Sequence, residues 1–229
     1  MIFPSQFRWY FTFAVILIAI LFSAMTISYQ VAIASITDGT LSEACNQILI
    51  DKASLWKFLD SGVDLQSSDW QTIEFEDEAW SEGLAELGYG DEDEQTVLSF
   101  GGDKNEKHLT TYLRHSFFVE ESSEYESFTI DFLVDDGAVI YLNGKEVLRF
   151  NMPGGKINAF TRAVSTVSGK AEEVFHHALV ESHLMLDKDN VLAVEIHQRS
   201  HTSSDLSFDL RLKGSFSCGS PAPVYEFIE

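Results

Sequence analysis

The sequence predicts an all-β protein, an antiparallel β-sandwich preceded by a single N-terminal transmembrane helix. Aromatic residues make up 13% of the 229 residues, and 18 of them are Phe, a composition that favours sheet over helix. Short runs alternate apolar and polar residues between turn signals, without a sustained helical period, as is typical of sandwiches and barrels. One uncharged apolar segment near the N-terminus is long enough to cross a bilayer.

That segment, "WYFTFAVILIAILFSAM", runs from Trp9 to Met25, and weakly polar residues extend it to Ala34. Arg8 precedes it and acidic residues follow it, so residues 1–34 predict a single-pass anchor with a cytoplasmic N-terminus. A cleaved signal peptide is the alternative, because "AIAS" at 32–35 has the small residues of a cleavage site. An anchor places the remainder at the cell membrane, on the periplasmic or extracellular side, whereas cleavage would secrete it.

The exported part divides into a connector at 35–50, a sandwich at 51–216 and a tail at 217–229. Its two cysteines, Cys45 and Cys218, fall near the two ends of this part. The ends of one domain often lie close together, and the exported compartment is oxidising. We therefore expect a Cys45–Cys218 disulfide, with two unrelated thiols as the alternative.

Four runs have the period-two pattern of half-buried strands or a comparable strand composition: 111–119, 128–134, 190–198 and 205–212. A fifth signal, "AVIYLNGKEVLRF", predicts a β-hairpin, because Asn143-Gly144 suits the positive φ angles of a type I′ turn. Large aromatics usually fill sandwich cores. We therefore expect Trp56, Trp70 and Trp80 to pack inside rather than to stack on sugar rings.

The formal net charge of −21 excludes nucleic acid as a partner, because such a surface repels phosphates. Residues 58–103 contain no Lys or Arg, and acids crowd into "FEDEAW" and "GYGDEDEQT". This region predicts either a solvated acidic rim or a hard-cation site. The spacing of Asp91, Asp93 and Gln95 is only weakly similar to a calcium loop, since the glycine and bidentate Glu of an EF-hand are absent.

Six blocks occur in order between Leu55 and Leu212, among them "LWKFLDSG", "TYLRHSFFV", "VDDGAVIYLNGKEVLRFNMP" and "SSDLSFDLRL". Together they resemble a galactose-binding-like jelly-roll module of large secreted bacterial proteins. That module is often found beside metallophosphoesterase, spore-coat-kinase-like or lamin-tail-like domains. The resemblance implies an antiparallel jelly-roll β-sandwich. Fold likeness alone supplies no site, and the module here follows an apparent membrane segment instead of a catalytic domain.

The stretch "DDGAVIYLNGKEV" also resembles the hairpin of protective-antigen-type lectin domains, in some of which paired aspartates hold Ca²⁺ that binds sugar hydroxyls. The resemblance implies that Asp135 and Asp136 are metal and ligand-binding residues and that Ca²⁺ is the candidate cofactor. The alternative is that the two acids only shape the turn that leads into Gly137. Adjacent carboxylates repel each other, so a cation or backbone N–H donors would help to keep both ionised.

Glu195, His197 and Gln198 form a second candidate group on one strand. Glu195 and His197 project to the same face, where they would form either a hydrogen-bonded polar network or part of an acid–base pair or metal site. Arg149 is a candidate counter-charge for Asp136 or Glu195. The sequence contains no nucleophile elbow, P-loop or dinucleotide fingerprint.

The sequence thus predicts a non-catalytic, exported, membrane-anchored module that recognises a glycan or a protein with Asp135, Asp136, Arg149, Glu195, His197 and Gln198. One alternative is an accessory subunit of a membrane complex whose acidic face docks a basic soluble partner. A second alternative is a hydrolase that uses Glu195 and His197.

Overall fold

The computed structural model describes residues 44–217, which form an all-β structure of two six-stranded sheets. The twelve strands are β1 (Ala44–Ile50), β2 (Leu55–Leu59), β3 (Ser81–Leu84), β4 (Leu87–Tyr89), β5 (Thr96–Val97), β6 (Thr110–Val119), β7 (Ser127–Val134), β8 (Gly137–Leu142), β9 (Lys145–Phe150), β10 (His176–Val180), β11 (Lys188–His197) and β12 (Leu206–Ser217). Helical structure in the described range is limited to single 3₁₀ turns at Ser122–Glu124, Gly169–Ala171 and Ser182–Leu184.

The first sheet has the strand order β10-β7-β12-β4-β5, and β1 pairs with β12 beyond the end of β4. The second sheet has the order β3-β2-β6-β11-β8-β9. All pairings are antiparallel apart from the short parallel pair β4–β5. Strands distant in sequence are neighbours in both sheets, so the connecting segments between them run across the ends and faces of the structure.

One apolar core lies between the two sheets and draws on the inward positions of both. The predicted alternation of the strands is confirmed at these positions, all of which are buried: Phe128, Ile130, Phe132 and Val134 on β7, Leu192, Val194 and Ile196 on β11, and Leu206, Phe208, Leu210 and Leu212 on β12. Trp56 is also fully buried there, with its ring edge-on to Phe208 at 4.9 Å between centroids. The two sheets therefore face each other as a β-sandwich.

The hairpin prediction is confirmed as well. β8 and β9 are joined by Asn143 and Gly144, with φ angles of 51° and 82°. The Asn143 side chain also ties the turn to β11, because its Nδ2 donates to Asn190 Oδ1 at 2.8 Å and its Oδ1 accepts the Val191 N–H at 2.9 Å. Asn143 therefore stabilises the turn through both its backbone conformation and its side chain.

The segment Ala44–Ile50, which we expected within a connector at 35–50, is a strand of the first sheet. It pairs with β12 from Ala44 opposite Ser217 to Ile50 opposite Leu212, with an irregularity after Ile48. The exposed Ile48 and this irregularity break the apolar alternation, which is why the sequence pattern did not reveal the strand.

The outer face of the second sheet is buried too, because long connecting segments cover it. Trp70 packs there on Tyr112 and Tyr141, with ring centroids at 4.8 and 5.7 Å. Arg114, 2% exposed, donates to the carbonyl oxygens of Trp70 and Thr72 and to Asp77 Oδ2 at 2.7 Å. These bonds hold the covering segment against the sheet.

Trp70 and Trp56 are thus core residues, as predicted. The half-buried Trp80 packs on the cluster formed by Trp70, Tyr112 and Ala193.

Within residues 44–217, no helix combines the length and the hydropathy that crossing a bilayer requires. The predicted anchor or signal peptide at 1–34 and most of the predicted tail at 217–229 lie outside the described residues. Membrane attachment and export therefore remain predictions from the sequence.

Candidate functional site

Asp135 and Asp136 connect the end of β7 to the start of β8, and each is 1% exposed. The peptide bond between them is cis. The Asp136 carboxylate accepts two backbone N–H groups at 2.8 Å, from Val167 on Oδ1 and from Arg199 on Oδ2. The Asp136 side chain therefore joins two connecting segments to the end of the sandwich.

Asp135 has a different environment from its neighbour. Its backbone N–H donates to the Ser207 carbonyl oxygen at 3.1 Å, but its side-chain Oδ1 is buried and has no hydrogen-bond partner. Burial, the adjacent Asp136 carboxyl and then Asp205 and Glu172 raise the pKa of Asp135 to about 9. Burial and the adjacent carboxyl therefore favour the protonated form of Asp135 at neutral pH.

No salt bridge reaches either aspartate from any residue between 44 and 217. The buried Lys107 lies near Asp205, but its Nζ donates to the carbonyl oxygens of Ser203 at 2.5 Å and Ser204 at 3.1 Å. The negative charge at Asp135 and Asp136 is consequently not matched by a cationic side chain within the described range.

Three further carboxylates, those of Asp91, Glu172 and Asp205, lie at the same end of the sandwich. One oxygen from each carboxylate lies within 4.8 Å of the others. Ser207 connects them to the aspartate pair, because its Oγ donates to Asp91 Oδ2 at 3.2 Å while its carbonyl accepts the Asp135 N–H. Asp91 was singled out in the sequence, but Glu172 and Asp205 were not, because nothing in their local sequence indicates that they converge.

Gln198, which the sequence interpretation included among the ligand-binding residues, borders this acidic end. It is fully buried, and its Nε2 donates to the Asp205 carbonyl oxygen at 2.6 Å. Its Oε1 is buried without a partner, as is the hydroxyl of Tyr89 on β4. Burial, followed by the charges of Asp135 and Asp205, raises the pKa of Tyr89. Three orphaned buried oxygens therefore surround this end, on Asp135, Gln198 and Tyr89.

Glu195 and His197 lie side by side on the covered outer face of the second sheet. Tyr141 donates to Glu195 Oε1 at 2.6 Å, and His197 Nδ1 lies 2.8 Å from the Thr161 carbonyl oxygen and 2.9 Å from Thr110 Oγ1. A carbonyl oxygen can only accept, so we assign a hydrogen to Nδ1. The Nε2 atom is 3.1 Å from Glu195 Oε2 but is not aligned for a hydrogen bond.

The side chains of His197 and Glu195 are only 0% and 6% exposed. A substrate cannot reach a buried imidazole that the Thr161 segment covers. The geometry therefore favours the hydrogen-bonded network over the acid–base pair, which is one of the alternatives that the sequence left open.

Arg149, the candidate counter-charge, pairs with Glu146 instead of Asp136 or Glu195. Its Nε and Nη2 donate to the two Glu146 carboxylate oxygens at 2.8 and 2.7 Å. Its Nη1 donates to the carbonyl oxygens of Pro153 and Gly155. A same-strand partner three residues away satisfies the guanidinium, so Arg149 shapes the chain after β9.

A second buried aspartate, Asp131 on β7, lies outside the predicted sites. The register places it opposite His177 on β10 and Arg211 on β12. Its carboxylate contacts Arg211 Nη2 at 2.7 Å, Lys213 Nζ at 2.9 Å and His177 Nδ1 at 2.5 Å. Burial alone would raise the pKa of Asp131, but hydrogen bonds from Lys213, His177 and Arg211 outweigh it and hold that pKa far below its usual range.

The predicted Cys45–Cys218 disulfide is only partly within the described range. Cys45 lies on β1 opposite Phe216, and Ala44 pairs with Ser217, the last described residue of β12. Cys218 lies outside the described residues, and the pairing stays a prediction.

Comparisons with known proteins give a weak fold likeness and no family. No family model matches the chain, and no curated protein matches it. Solved structures that resemble it include a β-glucuronidase of an uncultured Clostridium species (17% identity, TM-score 0.45, 76% of this chain and 29% of that one), one of Bacteroides uniformis (16%, 0.46, 75% and 18%) and one of Ruminococcus gnavus (11%, 0.44, 75% and 29%). The chain spans less than a third of each of these enzymes. At these scores the likeness is no basis for assigning an activity.

Proposed function

We propose that this chain is a non-catalytic, exported binding module of the jelly-roll, galactose-binding-like class that holds Ca²⁺ at Asp135 and Asp136. A glycan or a protein partner would bind at this end of the sandwich. The observation that carries the proposal is the Asp135 carboxyl, which is buried, has an orphaned Oδ1 and lies among acids without a cationic partner.

The donor set fits a hard cation. Ca²⁺ takes about six to eight oxygen ligands, commonly from carboxylates, amide oxygens and waters. Asp135 Oδ1 is free to coordinate, and each Asp136 oxygen keeps a second lone pair after it accepts one N–H. A bound cation would offset the buried charge and keep both carboxylates ionised.

The non-catalytic part of the proposal is supported by the burial of Glu195 and His197 beneath the segment that contains Thr161. The exported, membrane-anchored part rests on the apolar segment at 9–25 and on the alternative of signal-peptide cleavage after the small residues at 32–35. The Cys45–Cys218 pair would suit the same oxidising compartment.

A calcium titration of the full chain in detergent, measured by calorimetry, tests whether the cation binds. We expect binding in the wild type and loss of that ion in Asp135→Asn. Asp189→Asn is the matched control, because it removes the same charge from the exposed start of β11, at the opposite end of the strand. Wild-type binding in Asp135→Asn would contradict the site.

A glycan array measured with Ca²⁺ and with chelator then tests recognition of a glycan. Glycan binding that does not depend on the chelator would refute a calcium-mediated mode.

A second candidate function, docking of a basic protein partner, is favoured by one surface feature. An open groove with a volume of about 690 Å³ is lined by Asp69, Thr72, Glu74, Phe75 and Glu76. Carboxylates around an aromatic ring suit a Lys or Arg side chain. Co-purification from detergent extracts, with and without Glu74→Gln plus Glu76→Gln, tests this function. Capture of a basic partner that the double variant retains in full would rule the groove out.

A further inference from the structure

The carboxylates of Asp91, Glu172 and Asp205 come from three separate connections. Asp91 follows β4, Glu172 follows the 3₁₀ turn at Gly169–Ala171, and Asp205 precedes β12. One oxygen from each lies within 4.8 Å of the others. Ca²⁺–oxygen distances are about 2.3–2.6 Å, so two oxygens on one ion lie at most about 5.2 Å apart, and the separations here, all within 4.8 Å, are compatible with a shared ion.

Two buried groups give an independent indication that something binds here. The Gln198 side chain points to the Asp205 segment, where its Nε2 donates to the Asp205 carbonyl, yet its fully buried Oε1 has no partner. The Tyr89 hydroxyl, two residues before Asp91, is also buried without a partner among the described residues, and the charges that act on it are those of Asp135 and then Asp205. Leaving a buried polar atom unpaired costs about 1–3 kcal/mol, so the unpaired Gln198 oxygen next to the Asp205 segment indicates a ligand at this end of the sandwich.

The three carboxylates repel one another, because one oxygen of each lies within 4.8 Å of the others. Within residues 44–217 no Lys or Arg forms a salt bridge with any of the three. A divalent cation would relieve this repulsion.

We infer that Asp91, Glu172 and Asp205 bind a second calcium ion, next to the Asp135–Asp136 position but independent of it. This ion ties the β4–β5 connection, the segment around Glu172 and the β11–β12 connection to one another. The same Glu172 segment contributes Val167, whose N–H the Asp136 carboxylate accepts. The second ion therefore stabilises the wall of the Asp135–Asp136 position without sharing its ligands.

Calorimetric calcium titration of the full chain in detergent, after EDTA treatment and dialysis, tests the inference. We expect two ions per wild-type chain, and one ion in Glu172→Gln and in Asp205→Asn. Glu173→Gln, which removes the same charge from the neighbouring exposed residue, should keep both ions. Hydrogen exchange of residues 165–175 should slow on calcium addition in the wild type and in Glu173→Gln but not in Glu172→Gln.

The two calcium proposals fail in different ways. One ion in the wild type that Asp135→Asn retains and Glu172→Gln loses supports the second position and refutes the first. Unchanged stoichiometry and unchanged exchange in both Glu172→Gln and Asp205→Asn overturn the inference, as does the absence of any calcium binding in the wild type. Glu172 is only partly buried and the substitution keeps its shape, so loss of an ion in Glu172→Gln reports on coordination rather than on folding.

Discussion

Asp131 and Asp135 lie four positions apart along one stretch of chain, both are almost completely buried, and their surroundings are opposite. Asp131 lies within β7, where the register brings Arg211, Lys213 and His177 to its carboxylate. Asp135 follows the end of β7, where its electrostatic neighbours are Asp136, Asp205 and Glu172. The Asp131 carboxylate has its counter-charges fixed in the sheet, whereas Asp135 forms no salt bridge with any residue between 44 and 217.

The difference shows two ways to offset the free-energy cost of burying a carboxylate. Side-chain cations on neighbouring strands hold Asp131 ionised permanently, which suits a structural role. An acid without such partners must bind a proton or an exchangeable cation. We therefore expect Asp131 to determine stability under all conditions near neutral pH, and Asp135 to determine how stability responds to calcium and to protons.

The largest effect that this comparison predicts is that of Asp131→Asn. Removing the carboxylate leaves Arg211 and Lys213 close together without their anion. Breaking a buried pair costs about 3–5 kcal/mol, and because both cations are partly exposed we expect about 3 kcal/mol less free energy of unfolding. Urea unfolding in EDTA measures it. Asp135→Asn is the control, with a change near zero or a stabilisation, and an equal loss in the two variants would contradict the comparison.

Calcium bound at the Asp135–Asp136 position should produce the next largest effect. At a free concentration of about 100 times the Kd, a ligand that binds only the folded state stabilises it by about 2.7 kcal/mol per site. We expect calcium to raise the Tm of the wild type, and Asp135→Asn to lose the share of that increase that the Asp135–Asp136 ion contributes. Asp131→Asn, although less stable, should keep the full increase. A calcium response that depends on Asp131 instead would reverse the assigned roles.

The pH dependence of stability sharpens the same contrast. Burial raises the pKa of Asp135 to about 9 from an ordinary 3.8, so between these values the folded state holds a proton that the unfolded state has lost. Raising the pH from 7 to 8 in EDTA should therefore lower the free energy of unfolding, by up to about 1.4 kcal/mol. The Asp131 contribution is constant over this range, because its depressed pKa makes it lose stability only below about pH 4.

Denaturant unfolding at several pH values measures this slope. Saturating calcium should flatten it, because the cation replaces the proton, and Asp135→Asn should abolish its main component. A wild-type slope that persists unchanged in Asp135→Asn would mean that other acids with raised pKa values, such as Asp209, control it.

The smallest predicted effect is that of His177→Ala. The His177 side chain is 68% exposed, and exposed ion pairs contribute about 0–1 kcal/mol. We expect a loss below about 1 kcal/mol in urea unfolding, well under that of Asp131→Asn. A loss as large as that of Asp131→Asn would show that the imidazole, rather than Arg211 and Lys213, is the main counter-charge.

The sequence predicted the sandwich through residues whose position along a strand decides their burial. Leu192, Val194 and Ile196 alternate with Ala193, Glu195 and His197, and their strand was predicted correctly. The same alternation predicted Glu195 and His197 on the other face, but not that this face is buried. Irregular segments cover it, and such segments have no periodicity from which their placement can be predicted.

Only those residues of the candidate site that are adjacent in sequence could be predicted. Asp135 and Asp136 are adjacent in sequence, and a resemblance to calcium-binding hairpins drew attention to them. Glu172 and Asp205 approach Asp91 through the folding of three long connections, and no short-range pattern records that approach. The three partners of Asp131, which are Arg211, Lys213 and His177, depend in the same way on strand order and register, which the sequence pattern did not reveal.

The pairing of β1 with β12 has a mechanical consequence. Because Ala44 lies opposite Ser217, a force that pulls these two residues apart acts perpendicular to the strand pair. The hydrogen bonds between β1 and β12 then break one after another, starting from this end. The fold would then yield at low force from this end. The predicted Cys45–Cys218 bond would bear that load instead, and single-molecule pulling with and without reductant would show whether the chain resists tension only when it is oxidised.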